Sequence, residues 1–122
     1  MQVLLGIGSN CNADENIAAA KERLAVLLPG IQFSRVWQFP AAQGGNVPPY
    51  SNLAALANTS LSQDELKQQL RCIEAELARN RDTPDSVTID LDLLAFGNTR
   101  SPDLLACDYC RLPASELLVV SG

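Results

Sequence analysis

The segment Val87-Thr88-Ile89-Asp90-Leu91-Asp92-Leu93-Leu94-Ala95-Phe96 is β-branched and aliphatic, lacks Gly and Pro, and ends at Gly97-Asn98. Such a run reads as a buried strand. Side chains alternate along a strand with a period of two. Val87, Ile89, Leu91, Leu93 and Ala95 therefore share one face, and Thr88, Asp90, Asp92, Leu94 and Phe96 the other. Two carboxylates thus point the same way from an element that is otherwise dry. Like charges this close, partly desolvated, push one pKa upward unless a cation offsets them. A hard divalent ion on oxygen ligands, typically Mg²⁺, answers that need, above all where a phosphate supplies further ligands. The other reading of the same pair is an edge strand whose acids face water and deter aggregation.

Composition narrows the partners. A chain of 122 residues suits one domain, here 1–122, with the clearer element pattern over 1–98 and a weaker one over 99–122. A net charge of −5 and a pI near 4.5 argue against a nucleic-acid surface, which needs a basic stripe. No apolar run approaches a membrane span, and the N-terminus lacks the basic and long apolar regions of a signal peptide. We expect a cytoplasmic protein, monomeric or weakly dimeric, acting on small molecules. Cys107-x-x-Cys110 is half of a zinc site, and neither a second pair nor any histidine completes it. The lack of histidine also removes every mechanism that needs an imidazole base.

Taken in order, Gln2 to Ile7 reads as a strand closed by Gly8-Ser9-Asn10. Asp14 is placed to cap a helix with Ile17, Ala20, Leu24, Leu27 and Leu28 at helical spacing, stopped by Pro29-Gly30. Ile31 to Phe39 alternates as one strand with Ile31, Phe33, Trp37 and Phe39 on one face. Ala41 to Pro49 is a long loop of the kind that is functional or disordered. Tyr50 to Thr59 is a strand with Tyr50, Asn52, Ala54 and Leu56 together. Ser62 and Glu65 form a capping box, and Leu61 with Leu66 a hydrophobic staple, for a helix through Leu70, Ile73 and Leu77. A polar loop over Arg79 to Asp85 leads to the Asp-x-Asp strand. Pro113 to Val120 reads as a short helix or an added strand. The order strand, helix, strand, strand, helix, strand is that of an α+β, ferredoxin-like βαββαβ fold, a four-stranded antiparallel sheet with both helices on one face.

Several pieces of this chain, in order, resemble hydroxymethyldihydropterin pyrophosphokinase. They are Gly8-Ser9-Asn10, Pro40, Tyr50-Ser51-Asn52, Ile73-Glu74 followed by Arg79-x-Arg81, and Ile89-Asp90-Leu91-Asp92-Leu93-Leu94. That family transfers pyrophosphate from ATP to the hydroxymethyl group of a reduced pterin in folate biosynthesis, on a ferredoxin-like fold. The resemblance implies that Asp90 and Asp92 hold two Mg²⁺ ions bridging the ATP phosphates. It implies that Arg79 contributes to catalysis, and that Arg71, Glu74, Arg81, Leu93 and Tyr109 lie at the nucleotide. It further implies that Tyr50 stacks on the pterin, that Asn52 hydrogen-bonds its edge, and that Phe39 and Pro40 close the pocket. Phosphoryl-type transfer suits such a division, because it depends mainly on positioning and electrostatic stabilisation.

The chain also departs from the family pattern. Val87 stands where the family has an arginine, and Asp108 where it has a histidine. Ala114 and Glu116 fall near the places of an arginine and a second ring-stacking aromatic. An aliphatic side chain cannot replace a cation on a polyphosphate. A catalytically weak or inactive pterin- or nucleotide-binding module, or a ferredoxin-like interaction domain, therefore stands beside the pyrophosphokinase reading.

Overall fold

The computed structural model describes residues 1–39, 49–77, 89–102, 104 and 107–121. The elements run β1 (Gln2–Ser9), α1 (Ala13–Leu27), β2 (Gln32–Phe33), β3 (Trp37–Phe39), β4 (Tyr50–Asn58), α2 (Gln63–Glu76), β5 (Asp90–Phe96), β6 (Thr99–Arg100) and α3 (Asp108–Ser121). β1 is the spine of the sheet and pairs antiparallel with β4 on one side and β5 on the other. β2 and β3 both pair with the outer edge of β4, and β6 pairs with β5. This is the ferredoxin-like order with the second strand broken in two and a short hairpin added. Gly97, at φ 58°, makes the left-handed turn into that hairpin.

Alternation along the central strands builds two cores. Val3, Leu5, Ile7, Leu53, Ala55, Ala57 and Leu91 pack under α1 and α2, against Ile17, Leu24, Leu66, Leu70 and Ile73. On the opposite face Leu4, Ala54, Leu56 and Leu94 pack against Leu104, Cys110, Ala114 and Leu117. α1 and α2 thus share one face, as expected, and α3 covers part of the other. Pro113 lies inside α3 rather than at its start. The turn before it is helical because Cys110, like Ala114 one turn on, has apolar surface to bury there.

Two β-bulges redirect side chains that strict alternation misplaces. From Phe33 to Trp37 the edge takes four steps where its partner takes three, from Ala55 to Asn52. The extra residue flips the face, so Phe33 packs under the helices whereas Trp37 and Phe39 face the other way. Ser34 holds the irregular stretch: its N–H donates to the Ala54 carbonyl at 2.8 Å and its Oγ accepts the Ala54 N–H at 2.9 Å. The second shift falls opposite Leu4/Leu5, whose partners are Ala95 and Leu93. Beyond it Phe96 packs on the helix side and Ala95 on the α3 side, the reverse of the simple period.

Other boundaries also move. β1 runs through Gly8 to Ser9, because both keep partners on β4. The N-cap of α1 is Asn12, not Asp14. It lies at φ 46° without a side-chain cap bond, and its carbonyl accepts the Asn16 N–H at 3.0 Å. The α2 capping box forms as expected: the Glu65 N–H donates to Ser62 Oγ at 3.1 Å, and the Ser62 N–H to Glu65 Oε1 at 3.0 Å. Those bonds hold the Glu65 carboxyl below the usual range. Ser62→Ala is expected to lower stability by about 1 kcal/mol, read as a smaller urea midpoint at unchanged slope. Among the described residues no helix is long and apolar enough to cross a membrane.

Candidate active site

Two glycines in β1 open a hollow on the α3 side of the sheet. Gly8 lies between Asn52 on β4 and Asp90 on β5, and Gly6 between Ala54 and Asp92. A row whose middle residue lacks a side chain leaves a trough between its flanks. A Cβ on Gly8 would come within 3.3 Å of Asn52 Oδ1, and one on Gly6 within 3.2 Å of Leu94 Cδ1. Farther along, Leu4 and Leu56 pack in the second core with α3, so the trough stays open only at its glycine end. The result is a cavity of about 260 Å³, near the small end of ligand clefts, about 300–1,000 Å³. Ile7, Phe39, Tyr50, Tyr109 and Cys110 complete its lining.

One wall carries an orphan. Asn52 is 6% exposed, and its Oδ1 has no hydrogen-bond partner. Buried polar atoms are almost always paired, so this acceptor calls for a donor from a ligand. The opposite wall carries charge strain. The Asp92 carboxyl is pushed up to about 7, first by desolvation and then by the charge and hydrogen bond of Asp90 and the charge of Glu74, with Arg71 pulling it down. Two oxygen donors in an open cleft, one ionised only at a cost, suit a hard divalent cation.

β5 is held from behind by a buried carboxylate. Glu74 is 2% exposed, not a solvated helix residue as its sequence position alone suggests. Its Oε2 accepts the Leu91 N–H at 2.8 Å, and its Oε1 accepts Arg71 Nη1 at 2.8 Å. Arg71 is held above its ordinary value chiefly by that bond, with Asp92 and Asp90 adding through space. The strand between the two acids is thereby tied to α2.

Of the residues expected at the site, Asp90, Asp92, Tyr50, Asn52, Phe39 and Tyr109 line one cavity. Arg71 and Glu74 lie on the α2 side of β5, and Leu93 packs against the helix-side core, so these three do not line it. Pro40, Arg79 and Arg81, with Val87, lie outside the described residues. Sequence reasoning missed Gly6, Gly8 and Cys110. The glycines carried a signal, because Gly-x-Gly inside a strand marks one face kept clear. Ala114 is buried in the second core, and Glu116 is engaged by Arg35 and Trp37.

The family model for 7,8-dihydro-6-hydroxymethylpterin-pyrophosphokinase matches residues 4–119. The chain is also similar to the folate synthesis bifunctional protein of Chlamydia muridarum (strain MoPn / Nigg), at 31% identity over 126 residues and 95% of this chain. It spans about 27% of that relative's length.

Proposed function

Because the chain belongs to the 7,8-dihydro-6-hydroxymethylpterin-pyrophosphokinase family, we propose that it transfers pyrophosphate from ATP to the hydroxymethyl group of a reduced pterin, in folate synthesis. The hydroxyl oxygen bonds to the β-phosphorus and gives up its proton, the bond from that phosphorus to the α-phosphate oxygen breaks, and AMP leaves. The observation that carries the reading is a cavity with an unpartnered buried amide oxygen, Asn52 Oδ1, facing a strained acid pair across two glycines. An N–H-rich flat heterocycle meets the first need and a cation-bearing polyphosphate the second.

In this reading Asp90 and Asp92 hold the Mg²⁺ ions, which supply charge neutralisation and alignment of the phosphates. Tyr50 and Phe39, with Pro40, bound the pterin ring, and Asn52 accepts from its edge. Tyr109, Arg71, Glu74 and Leu93 serve the nucleotide side, with Arg79 and Arg81 as phosphate cations suited by their forked geometry. Arg71 and Glu74 act from behind β5, by charge and by holding the strand.

Purified protein with ATP, Mg²⁺ and hydroxymethyldihydropterin is expected to release AMP and form the pterin diphosphate. Absence of AMP above background rules the transfer out. Asn52→Ala is expected to weaken pterin binding by about 10- to 100-fold in calorimetry, the worth of one buried polar pairing. Unchanged affinity removes Asn52 from the recognition edge. A second reading, a binding module without turnover, is favoured by one observation. Ala114 is buried and Glu116 is taken up by Arg35 and Trp37, so neither brings a cation or an aromatic ring to the cleft. Ligand binding without AMP release selects it.

A further inference from the structure

The Phe39 wall of the cavity depends on a contact made from α3. β3 is three residues long and, among the described residues, pairs only with β4. So short a ladder at a sheet edge is weakly held by its own hydrogen bonds. Glu116 of α3 reaches across to it. One carboxylate oxygen, Oε1, accepts from Trp37 Nε1 and from Arg35 Nε at 2.9 Å, and Oε2 accepts the Arg35 backbone N–H at 3.3 Å. Arg35 also lies over the Trp37 ring, 4.4 Å from its centroid. The Trp37 and Phe39 rings run parallel, with planes 5° apart and centroids 6.3 Å apart. A continuous set of contacts therefore leads from a carboxylate on α3 to an aromatic wall of the cavity.

We propose that Glu116 is a positioning residue for this site, fixing the edge strand so that the Phe39 ring sets the width of the slot for a flat heterocycle. The inference rests on the pterin reading above. The Arg35 side chain is 71% exposed, so its ion pair alone contributes little. What distinguishes Glu116 is that it also satisfies the indole N–H and a backbone N–H of the irregular edge. Desolvation pushes its carboxyl upward, but the Trp37 N–H, the Arg35 backbone N–H and the guanidinium together hold it below the usual range.

The test uses the full chain with Glu116→Ala, Glu116→Gln and Trp37→Phe, which keeps a ring but deletes the donor. Calorimetry with 6-hydroxymethylpterin and, separately, with a non-hydrolysable ATP analogue reads the two halves of the site. Glu116→Ala is expected to weaken pterin binding about tenfold while nucleotide affinity stays within about twofold, the worth of one charge-assisted hydrogen bond. Glu116→Gln and Trp37→Phe fall between it and the wild type. Amide exchange at Trp37–Phe39 quickens in Glu116→Ala, and emission from Trp37, the chain's one tryptophan, shifts. Pterin affinity unchanged in Glu116→Ala, or pterin and nucleotide affinities falling in step with melting temperature, overturns the proposal. Should the wild type take no pterin, the functional reading fails by itself. Glu116 is then judged by exchange alone, and unaltered protection of β3 overturns its role.

Discussion

Asp92→Asn protein is expected to melt higher than the wild type at about pH 8 without magnesium, and to release AMP about a hundred- to a thousandfold more slowly with it, the scale for losing one strong transition-state charge contact. Both effects come from the same carboxylate. Asp92 in the fold titrates at about 7, against an ordinary value of 3.8, because burial and the Asp90 charge disfavour its ionised form. A carboxyl raised in the folded state contributes stability that is fully present below its unfolded value and is lost as pH rises through its folded value. The wild type therefore weakens between about pH 4 and pH 7, whereas the neutral amide does not. The gap between the proteins opens across that window and is level above it. Each 1 kcal/mol moves the melting point by about 4 °C in a chain of this size. If the acids hold magnesium as proposed, adding the ion is expected to narrow the gap by stabilising the wild type more than the variant. Melting scans across this pH range, with and without the ion, check the argument. A variant that melts below the wild type at every pH shows that the acids are not strained.

That this strain was legible at all follows from the regularity of the central strands. Tyr50, Asn52, Asp90 and Asp92 share a face because β4 and β5 run unbroken over those positions and both register on β1. Among the described strands alternation fails where an extra residue enters, before Trp37 and at Leu94–Ala95, and neither place carries a Gly or Pro to announce it. The first failure matters most. It turns Trp37 and Phe39 away from the Phe33 face and onto the cavity side, where only family likeness had placed Phe39. The floor was hidden for a different reason. Gly8 reads as the start of a turn when followed by Ser and Asn, yet it is strand, held by partners 44 and 82 residues away (Asn52 and Asp90). Residues whose roles depend on tertiary partners left no local trace. Glu74 looks like any helix carboxylate until the Leu91 N–H is brought to it, and Glu116 until the edge strand is laid under α3.

Glu74 is accordingly the position where a single truncation should cost the fold most among its polar residues. In Glu74→Ala the Leu91 N–H, a buried donor in the strand between the two acids, loses its partner. Arg71, with its side chain 57% exposed, can return to water, but the backbone donor cannot. An unsatisfied buried N–H plus the space left by the side chain amounts to roughly 2–4 kcal/mol. Glu74→Gln keeps an oxygen for Leu91 and should recover about half of that loss, since one neutral hydrogen bond contributes about 1 kcal/mol. The amide also removes one of the charges that raise Asp92, so the Asp92 carboxyl should titrate below its wild-type value in Glu74→Gln. Denaturant unfolding reads the first effect and carbon-detected carboxyl titration the second. Loss of less than about 0.5 kcal/mol in Glu74→Ala, the ordinary range for a surface substitution, means that the strand does not lean on this carboxylate. An unmoved Asp92 in Glu74→Gln means that the acids across the cleft do not feel the helix behind them.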